Sequence, residues 1–127
     1  MLANTLTLTV SGATGSPFTL TRVNQDNYGS EYKYLDAIQS LNLKIRHSTD
    51  RIKSNPALGI VATSFNRHNI SLEHTIFATV TVPEKSATAS VTLRDGVGYG
   101  PTSLLNTWIG FNTLFLTIDD NVVVGDN

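Results

Sequence analysis

Leu41-Asn42-Leu43-Lys44-Ile45-Arg46-His47-Ser48 alternates without a break. Successive side chains of an extended chain point to opposite sides. Leu41, Leu43 and Ile45 therefore share one face, and Asn42, Lys44, Arg46 and Ser48 share the other. The same period of two runs on either side of it. Thr5 to Val10 sets Leu6, Leu8 and Val10 against Thr5, Thr7 and Thr9. Phe18 to Val23 repeats the pattern after the turn Gly12-Ala13-Thr14-Gly15-Ser16-Pro17, so the two runs predict an N-terminal hairpin. Asn24 to Ser30 reads as a loop and Glu31 to Asp36 as a short strand. Arg67 to Val82 predicts one long strand, with Ile70, Leu72, Ile76, Val80 and Val82 in apolar phase. Pro83-Glu84-Lys85 turns the chain, and Ala89, Val91 and Leu93 then alternate with Thr88, Ser90, Thr92 and Arg94. Between the long strands lies a connection, Thr49 to Asn66, whose Leu58, Ile60 and Val61 predict a part that packs down.

The period changes after Gly100. Pro101 suits a first helical turn, and Leu104, Trp108, Phe111 and Phe115 recur at three and four. Thr117 predicts the cap of a second short helix, with Asp119 and Asp120 in its first turn. Strands followed by helices make an α+β fold: an N-terminal β-hairpin, an antiparallel sheet and two C-terminal helices. Residues 1–127 form a single domain on this reading, with no repeat, low-complexity tract or linker.

Composition agrees. The chain has 127 residues, a net charge of -1, 40% hydrophobic and 15% charged residues, and no cysteine. Disulfide scaffolds, Cys-type zinc sites and thiol nucleophiles are excluded. No run is apolar enough for a membrane helix, and the start lacks the basic residues of a signal peptide. Uncharged polar residues fill the gap, with 17 Thr, 11 Ser and 11 Asn, a sheet-forming composition. The near-neutral total hides an asymmetry. Ala37 to Leu72 sums to +4, from Lys44, Arg46, Arg51, Lys53 and Arg67 against Asp50. Asp95 to the end sums to -4. A basic middle can face a polyanion or be an ordinary solvated face.

A sheet this wide presents more apolar surface than one helix covers, and it leaves an unpaired edge. A two-fold partner removes both liabilities. The sequence thus predicts an intertwined dimer with a continuous sheet, and Leu104, Trp108, Phe111 and Phe115 as its interface.

Catalysis finds little support. His68 and His74 are six apart in one strand, about 20 Å, and cannot share a metal. Asp119-Asp120 suits a helix start better than paired acid–base work. Gly96-Val97-Gly98-Tyr99-Gly100 lacks the Lys-Ser/Thr of a phosphate loop and reads as a strand-to-helix connection. Asn69-Ile70-Ser71 matches a glycosylation sequon, but nothing points to secretion. No nucleophile, base and orienting group converge, so the expectation is a non-enzyme without metal or cofactor. One constellation stands out. Asn42, Lys44, Arg46 and Ser48 share a solvent face with Arg67, Asn69, Ser71 and Glu73 of the next long strand, and with Thr92 of the last. Short polar side chains with a few cations give phosphate contacts and adaptable bonds to bases, so these nine residues are candidate RNA-binding positions; a plain solvated sheet face is the other reading.

The whole chain resembles the coat proteins of the single-stranded RNA bacteriophages, the leviviruses and their relatives. Element order carries the likeness, with Leu43-Lys44-Ile45-Arg46-His47-Ser48, Arg67-His68-Asn69-Ile70-Ser71-Leu72-Glu73 and the C-terminal Val124-Gly125-Asp126-Asn127 as its local parts. The resemblance implies a capsid protein whose dimers face a continuous sheet inward and helices outward. It implies an icosahedral shell, commonly T=3, assembled in the bacterial host cytoplasm and localised to the virion. It also implies single-stranded genomic RNA as partner, in several members a hairpin whose binding represses replicase translation, and no membrane. The Thr49 to Asn66 connection is long for the family, and Thr88, Ser90 and Thr92 stand where a stacking Tyr would serve hairpin recognition. The competing class is a non-enzymatic β-rich binding or adhesion module, of phage-tail or pilus type, without RNA.

Overall fold

The computed structural model describes residues 2–96 and 98–125. The expectations touching Val97, Asp126 and Asn127 lie outside the described residues. Six strands follow one another: β1 (Thr5–Leu8), β2 (Phe18–Asp26), β3 (Gly29–Leu35), β4 (Gln39–Ile52), β5 (Thr63–Ile76) and β6 (Lys85–Gly96). A 3-10 turn, Pro56–Leu58, sits between β4 and β5, and one helix, α1 (Pro101–Val123), follows β6. The strands form a single sheet in chain order, a meander in which each pairs with its sequence neighbour. Short connections suffice for that arrangement: two residues join β2 to β3 and three join β3 to β4.

The chain divides into two compact units. One takes the residues up to Ser48 together with His68–Thr92; the other takes Thr49–Arg67 and the chain from Leu93 onward. In the first unit the pleat sorts side chains as the sequence predicts. Phe18, Leu20, Tyr32, Leu41 and Ile45 are buried, and Leu6, Leu8, Val10, Leu43 and Leu72 pack against them. The Phe18 and Tyr34 rings lie 5.1 Å apart, a tilted pair of the kind aromatic quadrupoles favour. Tyr32 donates its hydroxyl to the Ala3 carbonyl at 2.7 Å and accepts from Arg22 at 2.9 Å. Arg22 also reaches the Leu2 carbonyl and Asn4, so the buried tyrosine and one guanidinium tie the N-terminal segment down.

A bulge between Arg22 and Asn24 changes the pairing of β2 with β3. Before it Arg22 opposes Tyr32; after it Asn24 opposes Glu31 and Asp26 opposes Gly29. The extra residue moves Asn24 and Asp26 onto the face opposite Arg22. The following turn is tight. The Asp26 carboxylate accepts the Tyr28 N–H at 2.8 Å, and a Cβ on Gly29 would lie 2.0 Å from the Ile45 carbonyl oxygen. Only glycine lets the two backbones approach this closely.

In the second unit the Arg94 guanidinium lies 4.4 Å over the Phe65 ring and 3.4 Å from the Asp50 carboxylate. The Pro56–Leu58 turn is closed by Asn55 pairing with Ile60, and Gly59 takes the left-handed conformation that ends it. Proline occupies the first turn of α1, as expected.

Four expectations are corrected. There is one C-terminal helix, not two: Thr117 does not cap but donates its hydroxyl to the Leu114 carbonyl at 2.7 Å, inside a helix that runs on to Val123. The long strand is Thr63–Ile76 rather than residues 67–82. Beyond it the Thr79 side chain accepts the Val82 N–H at 3.0 Å and builds a turn, and Val80 is fully exposed. Asn24 to Asp26 belong to β2, leaving only Asn27 and Tyr28 as the turn. The connecting segment does not pack down, since Leu58 and Val61 are 72% and 80% exposed.

Candidate nucleic-acid interface

The polar face of the first unit is built strand by strand. Register places Lys33 opposite Asn42, Glu31 opposite Lys44 and Gly29 opposite Arg46. Side chains directly opposite in antiparallel strands share a face. Asn42, Lys44, Arg46 and Ser48 of β4 therefore stand beside Glu31 and Lys33 of β3. Lys44, Arg46 and Ser48 are exposed and Asn42 is half-buried. On β5, Asn69 and Ser71 are half-buried and Glu73 is exposed. Asn69 donates its amide to Thr92 Oγ1 at 2.9 Å, to Ser90 Oγ at 3.3 Å and to the Val91 carbonyl at 3.3 Å. That brings Asn69 and Thr92 onto one face and holds the asparagine in place, with its amide donors spent on β6. Arg67 is exposed and belongs to the other unit.

Charges on this face are more balanced than the +4 of the middle segment suggests. Arg46 lies 3.2 Å from Asp26, and Lys33 lies 3.6 Å from Glu31. The Tyr28 N–H, and after it the Arg46 guanidinium, holds the Asp26 carboxyl below the usual carboxylate range. Among the described residues Lys44 has no carboxylate within ion-pair distance. The Asn42 carbonyl oxygen is buried without a hydrogen-bond partner. A free ammonium on an open sheet face is suited to a phosphate.

Asp26, Glu31 and Lys33 were missing from the sequence-based set. The Asp26 position depends on the bulge, and the other two on the β3–β4 register. Neither leaves a mark in composition; the alternation of Glu31, Lys33 and Leu35 was the only available signal.

The four helix positions lie along α1. Leu104 and Trp108 are half-buried, and Phe111 and Phe115 are exposed. The Trp108 and Phe111 rings are tilted neighbours with centroids 6.0 Å apart. Leu105, Ile109, Leu114 and Leu116 are exposed as well, so the apolar face of the helix is wide, with Thr102, Asn106, Thr113 and Thr117 on the opposite side. No helix among the described residues is long and apolar enough to cross a membrane.

Comparison with known proteins bears on this arrangement. A solved virus-like particle of bacteriophage PQ-465 has a similar fold, with a TM-score of 0.61 over 85% of this chain and 87% of that one, at 10% sequence identity. No curated protein matches the sequence. A family model described as the coat protein of phage phiCb5 matches residues 3–96, which takes in all six strands. Coat proteins of this kind are typically non-enzymatic, and their assembly into a particle implies self-association and a place in the virion. With the match spanning the whole sheet, the chain belongs to the phage phiCb5 coat protein family.

Proposed function

We propose that residues 1–127 act as one coat domain of a levivirus-like, single-stranded RNA phage. In this reading the chain dimerises, assembles in the host cytoplasm into an icosahedral shell, and packages genomic RNA against the polar face of its sheet. The observation that carries the RNA part is the exposed Lys44, without a carboxylate partner, among short polar side chains on one sheet face. Arg46 contributes by exchange: a phosphate replaces Asp26 as its partner, at little net cost because both side chains are half in water. Asn42, Ser48, Ser71 and Thr92 supply hydrogen bonds to bases or riboses, and Glu73 accepts from exocyclic amines. The Thr-rich β6 lacks an aromatic stacking platform, so binding here is dominated by backbone contacts and tolerates many sequences. Repression of translation through one RNA hairpin would require an additional specificity element.

Filter binding of a single-stranded RNA across a salt series tests this. Each phosphate contact adds about 0.7 to the slope of log affinity against log salt for single strands. The double variant Lys44→Ala, Arg46→Ala should lower affinity and reduce that slope by about 1.4. An unchanged slope would remove this face from RNA binding.

A further inference from the structure

We propose that His47 and His68 form a two-imidazole chelate for a divalent transition metal ion of the copper–nickel type. The pair sits on the face of the sheet that carries Leu41 and Ile45, opposite Lys44 and Arg46. His47 is on β4 and His68 on β5, and their Nδ1 atoms are 2.8 Å apart. The rings meet edge to face, with centroids 5.0 Å apart and planes at 72°. One end of the arrangement is fixed by the backbone, since the His47 N–H donates to the Tyr28 carbonyl at 2.6 Å. His47 is exposed and His68 half-buried, so the pair is open to solvent.

Two imidazole nitrogens this close share one proton: one Nδ1 donates and the other accepts. With that proton displaced both Nδ1 lone pairs are free, and a small turn of each ring about its Cβ–Cγ bond aims them at one ion beside the line that joins them. A metal ion there binds both Nδ1 atoms, the one hydrogen of each neutral ring then residing on Nε2. Affinity favours copper, which heads the order of divalent first-row ions at imidazole nitrogen, and the spacing agrees. Metal–nitrogen bonds of about 2.0 Å at a right angle separate the two nitrogens by about 2.8 Å, whereas tetrahedral bonds separate them by about 3.3 Å. The observed 2.8 Å fits adjacent corners of a square-planar or tetragonal ion, the preference of Cu2+ and Ni2+. Among the described residues no group of three or more His, Asp or Glu side chains gathers at one place, so water completes the coordination. The third histidine is a natural contrast: His74 Nε2 is engaged by the Gln39 side-chain oxygen at 2.8 Å and has no second imidazole beside it. The sequence spacing of His68 and His74 excludes a shared metal along one strand; the pairing that matters runs across two strands.

The test titrates CuCl2 into the full chain after chelator treatment, followed by calorimetry and electron paramagnetic resonance. The expected result is one Cu2+ per chain with hyperfine structure from two imidazole nitrogens. His47→Asn and His68→Asn should each weaken binding at least about tenfold, because a chelate reduced to one donor loses its effective concentration. His74→Asn should leave the affinity unchanged. A spectrum showing one imidazole nitrogen overturns the proposal without any variant. So does a spectrum that persists in both His47→Asn and His68→Asn, as copper bound only at the amino terminus would give.

Discussion

Single carboxylates set local structure in this chain, and their charge state makes that testable. Asp36 closes the turn between β3 and β4. Its carboxylate accepts the Ile38 N–H at 2.8 Å, the Gln39 N–H at 2.9 Å and the Tyr34 hydroxyl at 2.9 Å. The Ile38 N–H foremost, then the Tyr34 hydroxyl and Gln39, hold its pKa below the ordinary 3.8, against the opposing effect of desolvation. A carboxyl with a depressed folded-state pKa stabilises the fold above the unfolded value, and the contribution is lost as pH falls through the folded value. Asp36→Asn should therefore lower the urea midpoint at neutral pH, and the gap to wild type should close below about pH 3.8. A gap of constant size from pH 7 to pH 2.5 would show that the charge of Asp36 is not what holds the turn. Little of this was legible in the sequence. Asp36 marked the end of a short strand there, and nothing in the letters shows which N–H groups a carboxylate will cap. The polar face was legible, because Asn42, Lys44, Arg46 and Ser48 alternate with residues whose burial is forced. Asp26 was not, because a one-residue bulge reverses its side.

At the scale of elements, the strands were readable wherever an apolar residue recurred at every second position with a core to meet it. β1, β2 and β4 satisfy that, and β3 extends the expected short strand by two residues at its start. Beyond Ile76 the same alternation misleads, because Thr79 offers the backbone a side-chain partner and the chain turns instead. The C-terminal helix misleads in the opposite sense: a threonine that could cap is absorbed, and 23 residues make one helix about 35 Å long. None of the residues of that helix is buried. An amphipathic helix buries its apolar face against another surface, and here that face is wide and open. If the covering surface is a second copy, Trp108→Ala should eliminate the soluble dimer, since large aromatic truncations cost about 3–5 kcal/mol. Sedimentation velocity checks this, and a variant that stays dimeric would place the interface elsewhere on the chain.

For the whole molecule, burial is the governing quantity. Only five hydrophobic side chains among the described residues are buried, in a chain of 127. Large apolar groups lie open on several elements, Leu116 on α1 and Val61 beyond the 3-10 turn among them. A lone soluble domain rarely leaves so much apolar surface uncovered. Self-association follows from this imbalance independently of any likeness to known coat proteins, and the sequence already hinted at it through a sheet too wide for its helix. The particle and its cargo can then be separated by experiment. Bacterially expressed chain, run on size-exclusion chromatography with absorbance at 260 and 280 nm, should elute near the void volume with excess absorbance at 260 nm. Nuclease treatment and raised salt should lower the 260 nm signal, because phosphate contacts weaken with ionic strength, while the apolar contacts between subunits persist. A void-volume peak without nucleic acid would keep self-assembly and remove RNA packaging. A small nucleic-acid-free species that remains soluble at high concentration would mean that the exposed apolar surface is covered by something other than this chain.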